Sequence, residues 1–205
     1  MARKRSREAT ERHLVTATAQ LLAEGGFKAL GINAVARQAD VDKVLIYRYF
    51  GGLSQLIEAV AASADFWPSI DELLPPSQLS SITDQEQSRV LKTLLRNYAD
   101  SIRNRPLTQE ILAWEVIERN ELTIPFEDVR ERTGLEIAAR LSDLRLGNED
   151  IASLLAILSA AIHYLALRGR KIKRFVGVPI DSDEGWQRIY ATIDLMIDAQ
   201  FSAST

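Results

Sequence analysis

The side chains best suited to chemistry in this 205-residue chain stand close together: Lys43, Val44, Tyr47, Arg48 and Tyr49, with Arg37 shortly before them. Lysine and arginine donate to phosphate oxygens or to the acceptor edge of guanine, and a tyrosine hydroxyl donates to phosphate. Valine fits against a thymine methyl group. This is the chemistry of holding a nucleic acid, and it forms and breaks no covalent bond. The chain has two histidines and no cysteine. It has no glycine-rich phosphate loop after a strand and no His-Glu-x-x-His pair, so no recognisable catalytic set is present. Carboxylate pairs such as Glu115 and Glu118 occur, as on any charged helix. No cofactor and no metal are expected.

Two short amphipathic pieces must position these residues. In the first, Ile32, Val35, Ala36 and Ala39 recur three and four apart, which places them on one helical face. In the second, Ile46, Tyr47 and Phe50 repeat that spacing. Ala39, Asp40, Val41 and Asp42 between them are too few for antiparallel helices. The spacing predicts a helix-turn-helix over residues 31–50, from Gly31 to Phe50, whose second helix enters a DNA major groove. Small Ala36 suits a close approach, and Val41 and Ile46 fill the corner. Asp40 stands where the backbone turns left-handed, which aspartate is among the few residues to tolerate.

Charge divides the chain in the same place. Residues 1–50 carry nine Lys/Arg against five Asp/Glu, and residues 51–205 carry 16 against 23, for a net charge of −3. A basic head on an acidic body points to a polyanion partner for the head alone. The first dozen residues are basic without an apolar run behind them, which does not fit a signal peptide. Absence of cysteine fits a reducing cytoplasm. Residues 151–167 carry no formal charge, but with Ser153, Ser159, His163 and Tyr164 they are expected to form a buried helix and not a membrane span.

In chain order, residues 2–7 are expected to be an irregular basic arm in which Arg5, with Arg3, Lys4 and Arg7, tracks phosphate or the minor groove. A helix capped at Ser6 or Thr10 runs to about Glu24, stopped by Gly25-Gly26, with Phe27 folding back as an anchor. A fourth helix spans about 53–64, with Ser54 as its cap. Pro- and Ser-rich residues 66–85 form a short helix and a loop. Helices follow from Asp84 to Asn104, over 107–118, from Pro125 to Leu144, over 149–170 and over 183–201, with a loop at 175–182. No alternating run is long enough for a strand, so the fold is all-α: a three-helix head, residues 1–52, and a helical body, residues 53–205.

In the body, Tyr98, Trp114, Glu118 and His163 are the candidate ligand-binding residues, on the expectation that Trp114, Glu115 and Glu118 stand near Asn97 and Tyr98 as an aromatic-lined pocket. A small-residue stripe (Ala152, Ala156, Ser159, Ala160, His163) and a second stripe (Trp186, Ile189, Ile193, Met196, Ile197) make the last two helices the expected homodimer face.

The order of these signals resembles the TetR family of transcriptional regulators. The resemblance rests on Ala19, Leu21, Leu22, Gly26-Phe27, Val35-Ala36, Ala39, Val41, the run Leu45-Ile46-Tyr47-Arg48-Tyr49-Phe50, and Leu56. It implies a dimeric repressor or activator, expected to be a repressor, with one reader head per subunit on a palindromic double-stranded operator and an unknown small-molecule effector in the body that releases it. The sequence departs from the family at Gly31, where a hydroxyl residue is usual, at Asp40 for glycine, at Leu53 for lysine and at Tyr49 for histidine. Those changes leave a second reading, a helical small-molecule-binding or adaptor protein with weakened DNA binding.

Overall fold

The computed structural model describes residues 2–78, 86–143 and 149–202, with the backbone alone for residues 2–6 and 149–150. The described residues are helical apart from loops and one small hairpin. They group into two compact units, Met1–Trp67 with Arg105–Arg132, and Pro68–Asn104 with Thr133–Thr205. The sequence puts the head-body boundary at Gly52, whereas packing gathers two further helices and the start of a third around the head.

The first unit begins with α1 (Ala2–Ala29), so the basic residues expected as an irregular arm are helical from Ala2. Gly26 interrupts α1 at φ 63° and ψ −166°. A side chain there would also collide with the Trp114 indole nitrogen, so glycine suits both the backbone and the contact. Three helices follow: α2 (Ile32–Gln38), α3 (Val44–Phe50) and α4 (Leu53–Ala61). Leu14, Ala17, Val35, Ala36, Ala39, Ile46 and Leu56 form their common buried core, edged by Ile32, Val41, Tyr49 and Phe50. The fourth helix starts after Gly52 with no side-chain cap, so Ser54 does not serve as one.

Phe27 is an anchor, but outside that core. Its ring meets Trp114 edge-on at 6.0 Å and Phe126 at 6.3 Å. Trp114 lies on α7 (Pro106–Glu115), which ends three residues short of the expected Glu118, and Phe126 lies on α8 (Ile124–Asp143). Phe66 meets Phe126 edge-on at 4.7 Å and accepts a hydrogen bond at its carbonyl from the Thr108 hydroxyl. Burial of Phe66, Phe126 and Ile111 closes this second apolar cluster. Beside it, Arg130 Nη2 pairs with Glu115 Oε2 at 2.9 Å and the guanidinium lies over the Trp67 ring. Beyond that pair, neither Glu115 oxygen has a hydrogen bond among the described residues, and burial pushes its carboxyl up to about 7, against the opposing pull of Arg130.

The second unit is built on α6 (Gln87–Arg103), preceded by the single turn α5 (Ile70–Leu73), whose Glu72 amide is capped by Ser69. The expected helix start at Asp84 and helix end at Leu144 lie outside the described residues. Two long helices pack on α6: α9 (Glu149–Gly169) and α10 (Asp183–Ser202). Three ion pairs fix α10 antiparallel to α6: Lys92–Asp198 at 2.5 Å, Arg96–Asp194 at 2.6 Å and Arg103–Asp183 at 2.7 Å. Partly exposed pairs of this kind contribute roughly 0–1 kcal/mol each, so they set register more than stability. Burial of Leu91, Leu94, Leu95, Ile102, Trp186, Tyr190 and Ile193 stabilises the packing of this unit more than the ion pairs do.

Three expectations change here. Of the stripe assigned to a dimer face on the last helix, Trp186, Ile193 and Ile197 are buried within their own unit and Ile189 is half-buried, while Met196 is exposed. The outward face of α10 carries Leu195 and Met196. The apolar helix α9, long and apolar enough by composition to cross a membrane, is buried along one side only, at Ile151, Leu158, Ile162 and Ala166. Its Ala152, Ala156, Ile157, Ala160, Ala161 and Tyr164 stand in solvent. Finally, the loop after α9 holds a hairpin, β1 (Arg174–Phe175) against β2 (Val178–Pro179), whose strands are too short for any alternation to announce them.

Candidate nucleic-acid interface

The turn between α2 and α3 follows from four backbone groups. Asp40 has φ 49°, its amide donates to Arg37 O, and the Val41 amide donates to Ala36 O. These two bonds, with a left-handed residue between them, make a Schellman ending. Val41 and Ala36 both belong to the head core, which supplies the apolar contact that accompanies the motif. Asp42 then opens α3, because its Oδ1 accepts from the Val44 amide at 2.8 Å. A carboxylate at a helix start also meets the positive end of the helix dipole. Both aspartates therefore act on the backbone before they act on any partner.

That geometry sorts the side chains of α3. Ile46 is fully buried, and Tyr49 and Phe50 edge the core. Lys43 and Arg48 are exposed, Val44 is 51% exposed and Tyr47 is 55% exposed. Val44, Tyr47 and Arg48, three and four apart, share the face opposite Ile46, with Lys43 at its leading end. An exposed face on a helix braced by a closed core is the arrangement in which a second helix enters a groove. Tyr49 stands differently from Tyr47: its ring is half-buried, and the Arg7 guanidinium lies 5.2 Å from its centroid. Arg7 in turn pairs with Glu11 at 2.7 Å.

Beside this face lies an open concavity of about 690 Å³ lined by Asn33, Ala36, Arg37, Asp40, Val41, Asp42 and Lys43. Arg37 and Lys43 thus face one opening. Asn33 was not singled out by sequence; its position four residues before Arg37 on an exposed helical face is the signal that finds it. Arg5 lies outside the residues whose side chains are described.

Residues 14–60 match the family model described as bacterial regulatory proteins, tetR family. Residues 14–60 are a TetR-family domain. Solved structures extend the likeness in fold over more than nine-tenths of the chain. The fatty acid degradation regulator FadR from Bacillus halodurans is 12% identical, with a TM-score of 0.63 over 92% of this chain and 94% of that one. GusR from Salmonella enterica is 16% identical, with a TM-score of 0.61 over 95% and 96%. A TetR-family transcriptional regulator from Vibrio parahaemolyticus is 20% identical, with a TM-score of 0.58 over 93% and 97%. A sequence search of curated proteins gives no match. The family domain is that of a DNA-binding transcription regulator.

The expected effector residues separate. In the second unit the Tyr98 hydroxyl is hydrogen-bonded to His163 Nε2, with ring centroids 5.6 Å apart. Asn97 donates to Leu73 O at 3.0 Å. Trp114 belongs to the first unit, where its indole donates to Glu110 and Lys28 lies over its ring. Glu118 is exposed beyond the end of α7.

Proposed function

We propose that the protein is a ligand-responsive transcriptional regulator, a binder and not an enzyme, acting in the cytoplasm as a homodimer on a palindromic operator. The observation that carries the reading is the exposed α3 face of Val44, Tyr47 and Arg48 led by Lys43, on a helix whose other side is closed by Ile46. Lys43 donates to a guanine edge or a phosphate, Val44 meets a thymine methyl, and Tyr47 and Arg48 hold the backbone. Arg37 clamps a phosphate from α2. Tyr49 donates its hydroxyl to phosphate while its ring stays in the head. Residues 1–52 act as the reader and residues 53–205 as the effector-binding and dimerising body.

The homodimer forms through the outward faces of the last two helices: Ala152, Ala156, Ile157, Ala160 and Tyr164 on α9, Leu195 and Met196 on α10. Ile157 is 67% exposed and Leu195 is 69% exposed, apolar surface that is costly to leave in water. Twofold pairing of two helices per subunit covers it. The two reader helices then enter successive major grooves about 34 Å apart.

For the effector we propose contact with the Tyr98–His163 pair, the polar groups that meet among apolar residues of the body. Trp114 is engaged by Phe27 and Glu110, and Glu118 faces solvent. The effector releases DNA only if it binds the released arrangement more tightly than the bound one. Recovery of bound duplexes from a random pool tests the whole reading. A shared palindrome, with affinity falling steeply as salt rises, is the expected result. Absence of any retained duplex overturns it in favour of a ligand-binding or adaptor protein.

A further inference from the structure

The hairpin between α9 and α10 is held stiffly at its base. The Ile180 amide donates to Lys173 O at 2.9 Å, and the Trp186 indole donates to Ile180 O at 3.0 Å. Both neighbouring helices close on it through glycine: a Cβ at Gly169 would come within 2.6 Å of Ile180 O, and one at Gly185 would collide with Pro179 O. At the other end, the turn residues Val176 and Gly177 both have positive φ, 49° and 78°. That is the two-residue turn which fits hairpin twist and normally takes Asn-Gly. A β-branched residue with this φ is strained. Yet Val176 is 88% exposed, so its side chain gains no packing among the described residues that would offset the strain. Strain kept at an exposed tip is the mark of a docking position.

Two features say what docks. The Phe175 ring, 36% exposed, meets the Tyr164 ring at 5.3 Å, so the tip continues the open stripe of α9. Five cations, Arg168, Arg170, Lys171, Lys173 and Arg174, fall within seven residues without an acid, and all are exposed. The other residues from Gly51 onward carry 11 Lys/Arg against 23 Asp/Glu. That acidity repels an anionic membrane or a DNA backbone and attracts the five cations of another molecule of the same chain. DNA would also leave Phe175 and Val176 uncovered.

We propose that the hairpin is a clasp that docks on a second copy of this chain, Phe175 and Val176 entering its apolar surface and the basic cluster facing its acidic body. The clasp rests on the homodimer proposed through α9 and α10, and extends it beyond the two helices.

The chain has no cysteine, so Val176→Cys in the full-length protein carries a single environment-sensitive thiol label. The expected result is a blue-shifted label shielded from iodide in the dimer, turning red and quenchable in a Leu195→Glu background. The paired substitution Phe175→Ser with Val176→Asn leaves a turn sequence the hairpin prefers, so monomer melting holds or rises. The dimer dissociation constant is expected to rise tenfold or more. A label equally quenched in dimer and monomer, or a dissociation constant within twofold of the parent, overturns the clasp and leaves the helix interface standing. A Leu195→Glu protein that stays dimeric overturns the interface and the clasp with it. Sedimentation of the parent, but not the paired variant, with phosphatidylglycerol vesicles would reassign the tip to a membrane.

Discussion

Among the places where large side chains stand in solvent, α3 and the pair α9 and α10 differ in their surroundings. On α3, Val44 and Tyr47 are exposed singly between the cations Lys43 and Arg48, on a helix of seven residues whose other face is sealed by Ile46. On α9, a helix of 21 residues, Ile157 and Tyr164 stand among alanines, and on α10, of 20 residues, Leu195 and Met196 stand with Ala191 and Ala199 beside Thr192 and Asp198. Exposed apolar groups framed by cations suit a polyanion whose groove offers methyl groups and phosphates together. Exposed apolar groups framed by alanine suit another helix, because only a close apolar surface removes that area from water. Exposure alone therefore does not name the partner; the charge around it does.

The sharpest break between the regions is expected from Leu195→Glu. At a twofold interface the charge is introduced twice, so dimer association should weaken by at least ~100-fold, or about 3 kcal/mol. Analytical ultracentrifugation reads this, and the head should melt as before. Lys43→Ala and Tyr47→Ala should do the reverse, each weakening operator binding by about 1–3 kcal/mol while the dimer persists. Fluorescence anisotropy on a selected duplex measures it, and unchanged affinity in both variants would remove α3 from the reader role.

A third difference separates the two kinds of ion pair. Those joining α6 to α10 are partly exposed, Asp194 Oδ1 apart, while both Glu115 carboxylate oxygens are buried and have, beyond the Arg130 pair, no hydrogen bond among the described residues. Burial raises Glu115 from its ordinary 4.5 to about 7, with Glu127 adding to the rise and Arg130 opposing it. The folded chain therefore holds this proton over a window in which the unfolded chain has lost it. Stability from this site is greatest below pH 4.5, declines as pH rises, and reaches its floor above about 7. Glu115→Gln should gain on the parent in urea melts from pH 5 to 8, and a constant difference across that range would contradict the assignment. The smallest effect is expected from Asp40→Asn, which keeps a residue tolerant of the left-handed turn and removes a charge beside Lys43. Operator affinity should rise about threefold at low salt, roughly 0.5 kcal/mol, and less as salt screens the charge.

Legibility in the sequence followed how local each determinant is. The turn was readable because its parts, Ala36, Asp40 and Val41, lie within six residues and each has a specific backbone role. The inward and outward faces of α10 were not, because Ile189, Ile193, Leu195, Met196 and Ile197 offer no polar contrast to choose between them. Only the position of α6, far away in sequence, turns Ile193 and Ile197 inward. Tyr98 and Trp114 invited one pocket by their type, and the chain folds them into different units. Tyr98 with His163 was a pairing across 65 residues that spacing cannot announce.

Two α3 helices reading one operator would leave their imprint in hydroxyl-radical footprinting of a selected duplex. Two protected patches on one face of the DNA, about one helical turn apart, are predicted for reader helices in successive major grooves. Both should fade together in the Leu195→Glu protein. A single patch, or protection that ignores sequence, would contradict a paired reader.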